Sequence, residues 1–162
     1  MYVVLLTVHS WLRWAVLSST LACAAFATRR LYRTLSWSDG TSRLARLWVS
    51  LVDLQVLVGM TLYFVCSPVV TGARTGSHWA LRDPSLRFFA LLHPLGMALF
   101  FVITHATWIA VRRAGEARVR YRRWAIGATG SLLLLVLAIP WPQSSYGRPL
   151  FRSMELLFGG AS

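Results

Sequence analysis

The chain has 162 residues, 56% of them hydrophobic and 14% charged, with a mean hydropathy of +0.55 and a formal charge of +12. Soluble domains carry about 25% charge, so this composition excludes an ordinary soluble domain. All 17 cations are arginine. Most fall between apolar runs or at their ends instead of forming one basic domain, so membrane topology explains them better than the nucleic-acid partner that the charge invites.

Apolar runs occupy 2–28, 48–70, 88–111 and 124–142. Each is near the roughly 20 residues that an α-helix needs to cross a hydrocarbon core. The expected fold is all-α: a single integral membrane four-helix bundle over 1–162, with helices at about 2–28, 48–68, 87–111 and 123–140 and a C-terminal tail at 141–162. The first run ends in small residues, Ala22 to Ala27, as a cleaved leader would. No basic segment precedes it and Arg29-Arg30 follows it, so it reads as a retained helix.

Arginines cluster after the first run (Arg29, Arg30, Arg33, Arg43, Arg46) and after the third (Arg112, Arg113, Arg118, Arg120, Arg122, Arg123). The other side holds Arg74, Arg82, Arg87, Arg148 and Arg152. This asymmetry places both termini outside the cytoplasm. Cys23 and Cys66 then lie near opposite faces, which argues against a disulfide, and neither sits in a metal-ligand spacing. In the loops, Ser36 to Gly40 is turn-like, Asp83-Pro84-Ser85 looks like a helix entry with Ser85 as cap, and Pro140 and Pro142 end the fourth helix. Trp48, Trp79, Trp108, Trp124 and Trp141 fall near the expected boundaries, where indoles prefer to sit. His78, in the outer loop, reads as solvated.

Ionisable side chains inside the spans are costly, by roughly 2.5–3.5 kcal/mol each, and are the functional candidates. They are His9, Arg13, Asp53, His93 and His105. His9 and His93 share a level, roughly 10 Å below the outer surface at about 1.5 Å per residue, on helices that run parallel. If the two imidazoles face each other they fit the axial pair of a haem iron, and otherwise they are packed hydrogen-bonding residues between helices; His9 and His93 are thus candidate metal ligands and Arg13, one turn from His9, a candidate cofactor-binding residue. His105 lies near the inner surface and is turned about 120° from His93, which speaks against a second haem in the same groove. Asp53 matches its depth, with Gln55 close behind. Asp53, Gln55 and His105 are therefore expected as an inner polar cluster of structural role, with Arg13 in reach of either Asp53 or a cofactor carboxylate.

The chain resembles a small four-span bacterial membrane family of cytochrome b or cytochrome b-like proteins. The likeness is carried by His9-Ser10-Trp11-Leu12-Arg13-Trp14, by Asp53-Leu54-Gln55-Val56-Leu57-Val58-Gly59 with Leu62-Tyr63-Phe64 and Ser67-Pro68, by Arg87-Phe88-Phe89 leading to His93 and Met97, and by Thr104-His105. It implies haem b, electron transport and the bacterial inner membrane. Members often carry His at the position of Asp53 and an acidic residue at that of Leu92. Both departures weaken the transfer of a cofactor, and if the family pairs its inner histidines on a second one this chain has lost that site, which leaves the outer His9/His93 site at most.

Two function classes follow. In one, the protein is a haem b electron carrier between a quinol or membrane oxidoreductase and an outer acceptor, with Arg74, Arg82 and Arg87 on the propionates. In the other, it is a non-redox accessory subunit of a larger membrane complex, with Gly127, Ala128, Gly130 and Ser131 as a close-approach surface and an apolar tail of Trp141, Phe151, Leu156, Leu157 and Phe158 that docks on a partner, lies at the interface or packs within the monomer. A transporter has too few spans to stand on, and no nucleophile–base constellation suggests a stand-alone enzyme.

Overall fold

The computed structural model describes residues 1–33, 36–75 and 82–151. They form five helices: α1 (Tyr2–Leu31), α2 (Asp39–Cys66), the short α3 (Pro68–Thr75), α4 (Pro84–Arg112) and α5 (Ala117–Ala138). The four long helices pack as a bundle in which α1 lies against α2 and α5, and α4 against α5 and α2. Chain neighbours are thus spatial neighbours, as short connections dictate. In this order, α1 sits diagonally across the bundle from α4. Met1 and the end of α5 lie at what we call the upper end, and the connections after α1 and α4 lie at the lower end.

The helices start and stop where local chemistry sets them, which is not where the apolar runs do. Helix α2 begins at Asp39, well before the expected 48, because the Ser38 Oγ accepts the Thr41 backbone N–H at 3.2 Å and the following polar turns still present Thr41 and Ala45 to the core. Helix α4 is capped by Asp83, not Ser85: the Asp83 Oδ1 accepts the Leu86 N–H at 2.9 Å, with Pro84 in the first turn, where its missing N–H costs nothing. Helix α1 runs on to Leu31, and α5 starts at Ala117, through arginines that a hydropathy reading counts as loop. Helix α3 has no counterpart among the expected elements.

Two helices, Asp39–Cys66 and Pro84–Arg112, are long and apolar enough to cross a membrane. Helix α1 spends its inward stripe on Thr7, Ser10, Arg13 and Thr20, and α5 spends its first two turns on Arg118, Arg120, Arg122 and Arg123, which lowers the apolar content of both.

The lower half of the bundle is filled with aromatic rings. Trp48 and Trp124 are each 1% exposed, so these two indoles are core residues and not boundary anchors. The Trp48 Nε1–H donates to the Thr20 Oγ1 at 2.9 Å, and Phe26, Trp37, Tyr121 and Trp124 pack ring against ring. Alanines at 24, 27, 45, 125 and 128 let the backbones approach. The small stripe on α5 is used inside this bundle: the Ser131 Oγ lies 3.3 Å from the Thr104 Oγ1, Ala128 is fully buried, and a Cβ on Gly127 would collide with Thr107. Those residues are consumed inside the bundle, Gly127 and Ser131 by α4, whereas Gly130 has open space beside it.

Candidate functional site

The upper half is not filled. A cavity of about 330 Å³ opens there between the four long helices, within the range of small-molecule sites. Its walls carry His9, Ser10 and Arg13 from α1, Gln55, Gly59 and Tyr63 from α2, Phe89, His93, Met97 and Phe100 from α4, and Arg148 from the segment after α5.

Each histidine is placed by its helix. Both face inward from diagonally opposed helices, and their ring centroids lie 6.3 Å apart with 77° between the planes. The His93 Nδ1–H donates to the Ala138 carbonyl at 2.8 Å, which fixes the ring and its tautomer and leaves Nε2 as the lone-pair nitrogen. On His9 the Nδ1 is buried without a partner among the described residues, while the Nε2 sits 3.3 Å from the Gln55 Nε2. The same Gln55 amide donates to the His9 carbonyl at 3.1 Å, and its Oε1 is buried with no partner among the described residues. Buried polar atoms of this kind cost about 1–3 kcal/mol when left unmet. The helix opposite His9 has given up a side chain for it: a Cβ on Gly59 would stand 3.1 Å from the His9 Cε1.

The run-in to His93 is distorted for a local reason. Pro94 has no N–H for the Ala90 carbonyl one turn back, and that carbonyl accepts instead from the Tyr63 hydroxyl at 2.9 Å. The turn Phe88–Leu92 widens to π geometry directly before His93, and Leu62–Cys66 of α2 does the same beside Tyr63. Such widened turns are frequent at functional sites.

Arg13 is 8% exposed and lines the cavity; its Nη2 donates to the Leu150 carbonyl at 2.5 Å and lies 3.4 Å from the Ser10 Oγ. The Trp14 Nε1–H donates to the same carbonyl at 3.0 Å, and Phe151 stacks on the Trp14 ring at 5.2 Å. Tyr146 stacks on Phe88 at 3.8 Å, and the Arg148 guanidinium lies 4.8 Å over Phe89. Residues 139–151 thereby fold over the upper end. This part of the tail is bound to its own bundle, which is the packing role within the monomer among the alternatives that the sequence leaves open. Its remainder, 152–162, lies outside the described residues, as do Trp79, His78, Arg152 and the Arg74 side chain. Arg82 and Arg87 are exposed and do not line the cavity, whereas Arg13 and Arg148 do.

The expected inner cluster divides. The His105 Nε2 lies 3.1 Å from the Asp53 Oδ1, and the His105 Nδ1–H donates to the Phe101 carbonyl at 3.1 Å. Gln55 belongs with His9 instead, because two residues on a helix are about 200° apart and Asp53 and Gln55 must face opposite ways. Arg13 likewise belongs to the upper site, being four residues from His9 on the same face. The Asp53–His105 pair is half-exposed on the flank where α2 meets α4, and removing one partner by Asp53→Ala is expected to cost about 0.6 kcal/mol, the average for interhelical hydrogen bonds in bilayers. Thermal unfolding in detergent checks this, and Asp53→Asn, whose amide still bonds the imidazole, should lose less.

Comparison with protein-family models, with curated proteins and with solved structures finds no match to this chain.

Proposed function

We propose that the protein is a four-span cytochrome of the b type in the bacterial inner membrane, holding one haem b between His9 and His93 and carrying electrons at the outer side. The observation that carries this reading is the histidine pair: 6.3 Å between ring centroids is about what two imidazoles need with a metal bonded at about 2 Å to a nitrogen of each. The donor set fits as well. His93 presents Nε2 with its other nitrogen anchored, His9 has an unmet ring nitrogen, Gly59 removes bulk, and Arg13 and Arg148 are cations suited to two carboxylates.

Burial supports the membrane half of the proposal. Polar side chains point inward, Thr7, Ser10, Arg13, Gln55, Thr104 and Ser131 among them, while Leu21, Leu57, Phe64, Leu95, Leu133 and Leu137 are exposed. An apolar exterior around a polar interior suits a lipid solvent. The arginine asymmetry supports an upper end on the outer side of that membrane, and tags on either terminus should be accessible from that side and not from the cytoplasm.

Haem supplies a reversible one-electron iron couple when bound. The chain's residues do the rest. The Ala138 carbonyl orients the His93 ring, Phe89, Met97 and Phe100 wall the cavity with apolar surface, and residues 139–151, tied down through Leu150, cover its upper end. Titration of the purified protein with haemin, followed by absorbance, is expected to reach its end point at one equivalent per chain. No saturable uptake, or an end point at two, contradicts the proposal.

A further inference from the structure

A second cavity, of about 370 Å³, opens at the lower end and is lined by Trp37, Ser42, Arg46, Trp108, Val111, Arg112 and Arg120. Three guanidinium groups from α2, α4 and α5 therefore border one space. No carboxylate pairs with any of them among the described residues. Three like charges around a shared cavity repel one another, and an anion between them relieves that repulsion.

Two of the three, Arg112 and Arg120, are also held in place. Arg112 lies over the Trp108 ring at 5.8 Å and Arg120 over the Trp37 ring at 5.7 Å. The Arg120 Nε–H donates to the Ala114 carbonyl at 2.8 Å, a bond that does not use the terminal nitrogens. The Trp37 Nε1–H donates to the Ser42 Oγ at 2.7 Å, fixing the ring under Arg120. Planar guanidinium forks fixed in this way match the oxygens of a phosphate, which they bind by paired hydrogen bonds. Beside the cavity, Leu47 and Leu54 on α2 and Ile109 on α4 are 58%, 45% and 47% exposed. They supply apolar surface within eight residues of the charged groups along α2 and α4.

We infer that this Arg46–Arg112–Arg120 cavity is a phosphate-binding site whose occupant is the head group of an anionic phospholipid of the cytoplasmic leaflet, its acyl chains lying along α2 and α4. The inference rests on the membrane reading above and is independent of haem.

The test is native mass spectrometry and thermal unfolding of the full-length protein in neutral detergent, titrated separately with phosphatidylglycerol, phosphatidylcholine and inorganic phosphate. Phosphatidylglycerol is expected to bind and stabilise, with phosphatidylcholine at least several-fold weaker. Arg46→Gln and Arg112→Gln should each weaken phosphatidylglycerol binding about fivefold, a factor typical of one basic residue at an anionic surface. Arg118→Gln, which removes the same charge outside the cavity, should not. Equal response to the two lipids, or no loss in the arginine variants, overturns the site. If inorganic phosphate binds as tightly with the same arginine dependence, the lipid assignment is overturned in favour of a soluble phosphate. Alkaline carbonate washing of the source membranes separates the failures: protein that is released refutes the membrane reading itself, whereas retained protein without lipid binding refutes this inference alone.

Discussion

Gly127→Ala is expected to destabilise the bundle by about 1–3 kcal/mol, the cost of overpacking a close contact. The new Cβ would overlap the hydroxyl and methyl of Thr107 and stand 2.7 Å from its Cβ. Rotating the threonine does not relieve the clash, because the Cβ belongs to the stem of the side chain and moves only with the α4 backbone. Thr107 is held besides by its Oγ1–H, which donates to the Ile103 carbonyl at 2.7 Å. The α4–α5 pair therefore has to separate, and that also loosens Thr104 against Ser131 one turn along. Thermal unfolding in detergent reads the loss. Thr107→Ala removes the two atoms that clash worst, so the double variant should recover part of it, a coupling that two independent sites would not show.

If the chain binds haem as proposed, His93→Ala is expected to abolish haemin uptake while leaving a folded bundle. The substitution removes the nitrogen donor and the anchor to Ala138 together, yet His93 stands at a cavity and not in the packed aromatic half, so few core contacts go with it. Haemin titration should show no saturable uptake for His93→Ala and for His9→Ala, with helical content retained by circular dichroism. His105→Ala is the control. Its ring faces Asp53 on the flank of the bundle, away from the cavity, and its titration should match that of the unsubstituted chain.

How far the sequence discloses this arrangement depends on which signal each feature leaves. Apolar runs report where a helix is surrounded by apolar surface, so all four long helices are legible, but α2 and α5 extend through polar turns that hydropathy cannot see and that capping at Ser38 or core contact at Tyr121 maintains. Depth along a helix is a matter of counting, which is why the level shared by His9 and His93 is legible from residue numbers alone. Angle around the helix is just as countable. The 200° between Asp53 and Gln55 already separates them, and a count of depth without angle puts Gln55 in the wrong cluster. The cover formed by residues 139–151 has no periodicity to read. Its attachment is a backbone carbonyl, that of Leu150, accepting from Arg13 and Trp14, and no residue type announces it. Arg148 reaches the cavity by that route, and its place in the chain does not distinguish it from Arg82 or Arg87. The service of Tyr63 to the Ala90 carbonyl is implicit in Pro94, since a proline inside a helix always leaves one carbonyl in need of another donor.

If His9 and His93 hold one haem across the upper cavity, as proposed, a reduced-minus-oxidised absorbance spectrum of the purified full-length protein shows the sharp α-band of a low-spin b-type haem, present in the unsubstituted chain and in His105→Ala and missing from both His9→Ala and His93→Ala. A featureless difference spectrum from protein purified under haem-replete expression, or a b-type band that survives loss of either histidine, would contradict the proposal.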